Sequence, residues 1–310
     1  MKEPRSIKIK VAPDEAGERL DLYLTFKLQD LSRSYIKNQI NDGVVRINGE
    51  TQFKPQYRVK KGDVIEASLE GKNPSNTIRP ENIPLDIIFE DEHLLAVNKP
   101  VGLVTHPATG NWSGTLMNGV VFHFNELRHV GDPIRSGLIH RLDKETSGII
   151  LIGKTNRGLW YYSRLFAERK VEKTYRAVVR GDISGKTKGG SIEVRNYLGR
   201  NPKQRKKIAE VDPKKGRLAI SAIRFISALT YDGTDYSLVE IKPTTGRTHQ
   251  IRVHLASLGF PVLGDTVYGR SKFKRLMLHA WKLNLKLLNG EQKELIAPLP
   301  RVFTNLEAKL

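Results

Sequence analysis

Between His140 and Gly148 the chain reads His-Arg-Leu-Asp-Lys-Glu-Thr-Ser-Gly and then runs into the apolar Ile149-Ile150-Leu151-Ile152. A histidine, an arginine and an acid fall together at an expected strand and turn, beside a glycine whose backbone reaches angles closed to other residues. A carboxylate next to buried apolar surface is costly unless a cation or a donor pairs with it. Asp143 is therefore the first candidate for chemistry, with Arg252, far along the chain, as its candidate partner. The competing explanation is a helix or turn cap, since Asp-x-x-Thr-Ser-Gly is ordinary turn chemistry.

A second constellation is Thr244-Thr245-Gly246-Arg247-Thr248-His249-Gln250-Ile251-Arg252-Val253-His254. It predicts a helix from Thr248 that carries Arg252. A guanidinium held against Asp143 would keep the carboxylate ionised and grip both oxygens, which lysine cannot do. Arg247 need not serve the same task. His249 and His254 stand five apart rather than four, which disfavours a helical zinc pair, and no metal site is expected. Both histidines are expected to pack and hydrogen bond within the helix. A third element, Glu172 to Gly181, puts Tyr175 on a strand among basic neighbours, as plain core or as a face on which an extruded base stacks.

The elements that must hold these groups are short. Strands are expected over 87–90, 94–97, 175–179, 220–227, 236–241 and 276–283, and helices from Thr115, with Leu116, Val120, Val121 and Phe124 on one face, and over 159–166. Because the strands do not alternate with long helices, this region reads as α+β with a mixed, largely antiparallel sheet. It is expected over residues 83–310, after a polar linker over 71–82 that contains Gly71 and Pro74. Before the linker, residues 1–70 read as a small α+β module. Its expected parts are a helix around Leu20 to Leu28, a second capped by Ser32, a strand over 44–47 ending in the Asn48-Gly49 turn, and a strand over 64–67.

Composition bounds the setting. The 310 residues fit two domains, and the chain is 39% hydrophobic and 27% charged, without an apolar run near the roughly 18 residues of a membrane span. The charged N-terminus lacks a signal core and there are no cysteines, so a cytoplasmic protein without disulfides is expected. The net charge of +19 argues for a polyanionic partner. Residues 1–80 carry 15 basic and 11 acidic side chains, whereas residues 160–220 carry 17 and 6, so the excess lies beside the presumed site. There Arg195, Arg200, Lys203, Arg205, Lys206, Lys207, Lys214, Lys215 and Arg217 face only Glu210 and Asp212. This is the pattern of an exposed loop or hairpin on a phosphate backbone, Lys206 and Lys207 included.

Arg19-Leu20-Asp21, Ser32-Arg33-Ser34, Gly43 to Gly49 and Lys61-Gly62-Asp63 make residues 17–70 resemble an S4-type RNA-binding domain. The resemblance implies that Arg33, Lys37 and Lys54 hold structured RNA by phosphates and groove shape. The larger region resembles the pseudouridine synthases of the RluA/RluD family, with the appended S4 domain of the RluD branch. The likeness rests on Asn98 to Leu103, His140 to Gly148, Lys173 to Ala177, Gly246 to His254 and Leu258 to Asp265, in that order. Phe260, where related sequences often carry histidine, and the basic stretch from Arg200 to Lys215 depart from the pattern.

That resemblance implies cofactor-free isomerisation of uridine to pseudouridine in RNA. Asp143 would be the essential carboxylate, Arg252 its ion-pair partner, and Tyr175 the ring against the target base and a route for the C5 proton. Arg141 would enter the stack as the base flips out, with His140 and Arg247 among the substrate-facing residues. Large-subunit ribosomal RNA leads as substrate, transfer RNA competes, and a monomer is expected. Two other classes fit part of the pattern. An RNA-binding assembly factor would need no carboxylate in a basic cleft, and a glycoside hydrolase would need a second acid opposite the first, for which no clear candidate exists.

Overall fold

The computed structural model describes residues 5–28, 31, 33–69, 78–108, 111–131, 135–202, 204, 207–231, 233–269, 271 and 273–303. The N-terminal unit comprises β1 (Arg5–Lys10), α1 (Leu20–Lys27), α2 (Arg33–Asn41), β2 (Val45–Ile47), β3 (Glu50–Thr51) and β4 (Val64–Leu69). Its sheet runs β1-β4-β2-β3, every pair antiparallel, over a core that includes Leu20, Leu24, Ile36, Ile40 and Ile65. Strand β1 extends the module upstream of the expected pattern. Lys37 and Lys54 are exposed; the side chain of Arg33 and the expected cap Ser32 lie outside the described residues.

The larger unit contains β5 (Ile87–Glu90), β6 (Leu94–Lys99), α3 (Leu116–His123), β7 (Ser147–Gly153), α4 (Asn156–Ala167), β8 (Glu172–Arg180) and the short α5 (Ser184–Thr187). There follow β9 (Ser191–Arg200), β10 (Ile208–Glu210), β11 (Arg217–Tyr231), β12 (Thr234–Pro243), α6 (Gln250–Ser257), β13 (Leu278–Lys286) and β14 (Gln292–Ile296). They form a ten-stranded sheet in the order β10-β9-β11-β12-β8-β13-β7-β6-β5, with β14 beside β13. Among the described strands only β7 and β13 pair in parallel, so the mixed, largely antiparallel architecture is as expected.

Strand β7 explains the apolar run after the Asp143 motif. Ile150 and Ile152 face a core shared with Val120 and Val121 of α3, while Ile149 and Leu151 face one shared with Tyr162 of α4. A strand covered on both faces has no solvent side to make polar, and each such side chain contributes about 2 kcal/mol through burial. Gly148 opens this strand at φ 113, and a Cβ there would lie 2.2 Å from the carbonyl oxygen of Ala280 on β13. Only glycine allows that approach, which sets the end of the Asp143 loop against the sheet.

The linker is shorter than the sequence predicts. Residues 71–77 lie outside the described part, but Ile78 is buried in the α3 and β7 core, and the amide of Asn118 donates to the carbonyl of Arg79 at 2.7 Å. The backbone amide of Gly114 donates to Glu81 at 2.9 Å. Residues 78–82 therefore belong to the larger unit; their polar composition reflects backbone docking onto α3 rather than a free connection.

The basic stretch takes the hairpin form of the two expected, β9 returning antiparallel as β10, with Lys214 and Lys215 in the turn that follows. Arg195 and Arg200 stand exposed on β9, Arg217 opens β11, and Lys207 precedes β10 at the sheet edge. Lys203, Arg205 and Lys206 lie outside the described residues.

Candidate active site

The loop ending at β7, the start of β8, the end of β12 and the entry to α6 enclose a cleft of about 500 Å³. Asp143 is the only carboxylate among its described lining residues, and it stands among Arg141, Arg169, Lys173, Arg247 and Arg252. The Asp143 backbone carbonyl closes a turn by accepting from the Thr146 amide at 3.1 Å, yet among the described residues no hydrogen bond reaches its carboxylate. The motif is thus a turn by its backbone, with its acid left facing the cleft. Turn capping accounts for the main chain only.

The loop is fastened from below. Lys99, fully buried at the end of β6, donates from Nζ to the carbonyls of Pro100, Leu103 and Lys144 at 2.9, 2.8 and 3.0 Å. Thr105 donates to the carbonyl of Leu142 at 2.8 Å, and the Gly102 amide to that of Lys144 at 2.9 Å. Both neighbours of Asp143 are therefore held by one turn. Burial lowers the Lys99 pKa to about 8, against the opposing pull of Glu145 and Asp143. The ammonium has three protons for three carbonyls, but the free amine has two, so the anchor is complete below pH 8 and weakens above it. Lys99→Met is expected to lower turnover about tenfold, the scale of losing roughly 1.4 kcal/mol of positioning, while RNA affinity holds. A pH-rate series checks this: the alkaline decline near the Lys99 pKa should disappear in the variant, and a persisting decline would detach Lys99 from the loop's behaviour.

His140 is spoken for. Its Nε2 accepts from the Leu151 amide at 2.9 Å, and its ring stacks on Phe166 at 4.4 Å. Burial, helped by Lys173, depresses its pKa to about 3, so it stays neutral and braces the loop against β7 and α4. Arg141 is exposed at the cleft. Tyr175, on β8, packs between the two large cores and lines the cleft. Burial, and then Asp143, push its hydroxyl pKa up, so the phenol is protonated. Arg247 is half-buried, and its Nε donates to the carbonyl of Leu218 at 3.1 Å. Burial, then Arg217 and Arg169, lower its pKa.

Arg252 departs from the expected arrangement. Its fork closes on Asp265, Nε to Oδ2 at 2.7 Å and NH2 to Oδ1 at 2.8 Å, with side chains 7% and 0% exposed. Asp143 is not its direct partner. Burial lowers the Arg252 pKa, but the bond to Asp265 and the charges of Asp265 and Asp143 outweigh it, and the net shift is upward. Asp265 is lowered in turn: burial raises it, and Arg252 with the amides of Tyr268 and Val267 overcomes that. A buried carboxylate supplied by a later loop, at the Gly264-Asp265 step already singled out in the sequence, takes the fork. Asp143 thereby keeps its oxygens uncommitted while still feeling a fixed cation.

The expected helix start at Thr248 also moves. Helix α6 begins at Gln250, because His249 adopts a left-handed φ of 54 and breaks the helical path. That turn directs His249 into the cleft, its Nε2 3.8 Å from Oδ2 of Asp143. His254 behaves as expected for a packed helix residue, buried with Nε2 2.9 Å from Oδ1 of Asn196. His249, expected to pack within the helix, thus faces the site instead, and three residues not singled out individually in the sequence complete it: Lys99, Asp265 and Tyr268. Tyr268 has its ring 5.2 Å from the Arg252 guanidinium. For all three the only available signal is their position inside or beside a motif.

Known proteins carry the same combination. A family model described as RNA pseudouridylate synthase matches residues 93–257, and an S4 domain model matches residues 18–65. An uncharacterised RNA pseudouridine synthase of Aquifex aeolicus (strain VF5) is 40% identical over 87% of this chain and 82% of its own length. The ribosomal large subunit pseudouridine synthase D of Zymomonas mobilis is 36% identical over 95% of this chain and 94% of its own. Among solved structures, human RNA pseudouridylate synthase domain containing 1 superposes with a TM-score of 0.58 at 27% identity, covering 70% of this chain and 84% of that one. The fold, the cleft and these matches agree: the chain belongs to the RNA pseudouridine synthase family, with an S4 domain on its N-terminal side.

Proposed function

We propose that this synthase isomerises specific uridines of large-subunit ribosomal RNA, with Asp143 as the essential carboxylate and the target nucleotide flipped into the cleft. The observation that carries this is the lone carboxylate among five basic side chains in the described cleft lining, beside the neutral phenol of Tyr175. Five cations suit a phosphate-rich substrate, and a single acid without an opposite number does not suit hydrolysis by paired carboxylates. Cleavage of the N1–C1′ bond builds positive character at the sugar, which Asp143 meets by attack at C1′ or by removing the 2′ proton. The uracil then turns within the cleft and C5 bonds to C1′ as the bond to Asp143 breaks or, on the second route, as the proton returns to C2′; C5 then gives up its proton and N1 takes one up, so that the product is an isomer. Tyr175 keeps the ring in plane by packing, and Arg141, exposed at the cleft, fills the place the base vacates.

The choice of ribosomal RNA rests on likeness: relatives aligned over 95% and 96% of this chain carry the name ribosomal large subunit pseudouridine synthase D. The S4 unit, through Arg33, Lys37 and Lys54, and the basic β9–β10 edge would grip phosphates on either side of the target. The test is nucleoside analysis after incubating the protein with an unmodified large-subunit transcript and, separately, with bulk unmodified transfer RNA. Pseudouridine at discrete positions of the transcript supports the assignment; product in transfer RNA alone overturns the substrate. Neutralising Lys206 and Lys207 together should lower the slope of log affinity against log salt by about one unit per lost phosphate contact. An unchanged slope would remove the hairpin from the RNA footprint.

A further inference from the structure

His249 has no part in the reaction just outlined, yet its placement is demanding. Its φ of 54 is one of five positive values at non-glycine residues among the described residues. A left-handed backbone brings the Cβ of an L-residue too close to the following carbonyl, and such outliers persist where the surroundings enforce them. Both ring nitrogens are engaged. Nδ1 lies 2.9 Å from the hydroxyl of Tyr268, and that hydroxyl accepts from the backbone amide of Ile208, on β10, at 3.0 Å. Nε2 faces Oδ2 of Asp143 at 3.8 Å.

These contacts favour one tautomer. The Tyr268 oxygen already receives one N–H, which leaves its own proton to donate to Nδ1. Were the imidazole proton on Nδ1 instead, two N–H groups would converge on the hydroxyl, and the Nε2 lone pair would face a carboxylate. Both ends of the ring favour the proton on Nε2.

We propose that His249 is a positioning residue for Asp143: a neutral imidazole that aims Nε2–H at the carboxylate because Tyr268 occupies Nδ1. The chain Ile208 to Tyr268 to His249 to Asp143 also ties the basic β9–β10 edge to the reacting group. At 3.8 Å the N–H orients the carboxylate without capturing its lone pairs, as Arg252 does by spending its fork on Asp265. This rests on the role proposed for Asp143 above.

The ring's charge state follows from its neighbours. Burial lowers the His249 pKa, and so do Arg252 on its own helix and Arg141 on the Asp143 loop, while Asp143 and Asp265 raise it. Tyr268 is the remaining polar group on the ring and, as donor to Nδ1, favours the neutral form. Protonation would turn the contact with Asp143 into an ion pair and quench the carboxylate, so turnover should fall as pH drops through this pKa.

The experiment compares the full-length protein with Tyr268→Phe, which keeps the ring beside Arg252, and with His249→Gln. Single-turnover rates are followed across pH, and imidazole ¹⁵N spectra are recorded without RNA, the His249 signals being those lost in His249→Gln. Each variant should lose about tenfold in rate, the scale of one positioning contact, with the KM for RNA changed less than twofold. In Tyr268→Phe the acidic limb should move to higher pH, since the neutral ring has lost a donor; in His249→Gln that limb should be absent. The wild-type spectrum should show the proton on Nε2. An acidic limb unmoved by Tyr268→Phe, a loss confined to KM, or a proton on Nδ1 would each overturn the proposal. A wild type that makes no pseudouridine would instead defeat the proposed function, and the spectrum would still decide the tautomer.

Discussion

Asp143→Asn should reduce pseudouridine formation by at least about 10⁴-fold, the scale seen when an enzyme loses its covalent or general-base group. The amide has the shape of the carboxylate but neither its charge nor its basicity. Because no hydrogen bond to that carboxylate exists among the described residues, the substitution leaves the turn intact: Thr146 bonds the Asp143 carbonyl, and Lys99 and Thr105 hold the flanking ones. RNA affinity should hold or rise slightly, since the variant removes the one negative charge lining a basic cleft. Filter binding measures this directly. A marked loss of affinity would mean that Asp143 shapes the RNA site rather than reacting in it.

Arg252→Ala should be the most destabilising change near the cleft, by about 3–5 kcal/mol, the usual result of stranding one member of a buried ion pair. Asp265 is the stranded partner: its side chain is fully buried, and the amides of Val267 and Tyr268 would remain its only donors among the described residues. Urea unfolding reads the loss as a lower midpoint. The double variant Arg252→Leu with Asp265→Asn should regain most of the stability, since no buried charge is left, but not the turnover, which needs a cation near Asp143. Equal stability of Arg252→Ala and the parent would contradict the pairing with Asp265. Recovery of turnover by the double variant would show that the guanidinium does not act on Asp143.

Much of this site is legible in the sequence. The unbroken apolar run of β7 marks a strand buried on both faces, and a polar loop delivered by such a strand has a rigid base. The acid set between Arg141 and Lys144, just ahead of that strand, marks Asp143. The Arg252 partner is not legible, because ion-pair geometry depends on which loops meet in space, and Asp143 and Asp265 are both reachable acids in sequence terms. The helix start fails for a local reason. Thr248 has the chemistry of an N-cap, but the left-handed His249 delays the helix by a turn contact that periodicity cannot register. Lys99 is hidden for the opposite reason, since lysines are read as exposed, and only the three carbonyls around Nζ make burial tolerable. On β9 the alternation is present: Asn196 and Leu198 are buried, while Glu193 and Arg195 on the opposite face are exposed, and the density of charge obscures a strand pattern.

The most direct test of the central claim is tritium release from large-subunit ribosomal RNA carrying uridine labelled at C5. The parent and Asp143→Asn would be compared at concentrations where filter binding shows equal RNA occupancy. The parent should release tritium in proportion to the pseudouridine formed and the variant should release none above background. Comparable release by both, at equal occupancy, would contradict the assignment of Asp143 as the carboxylate on which the isomerisation depends.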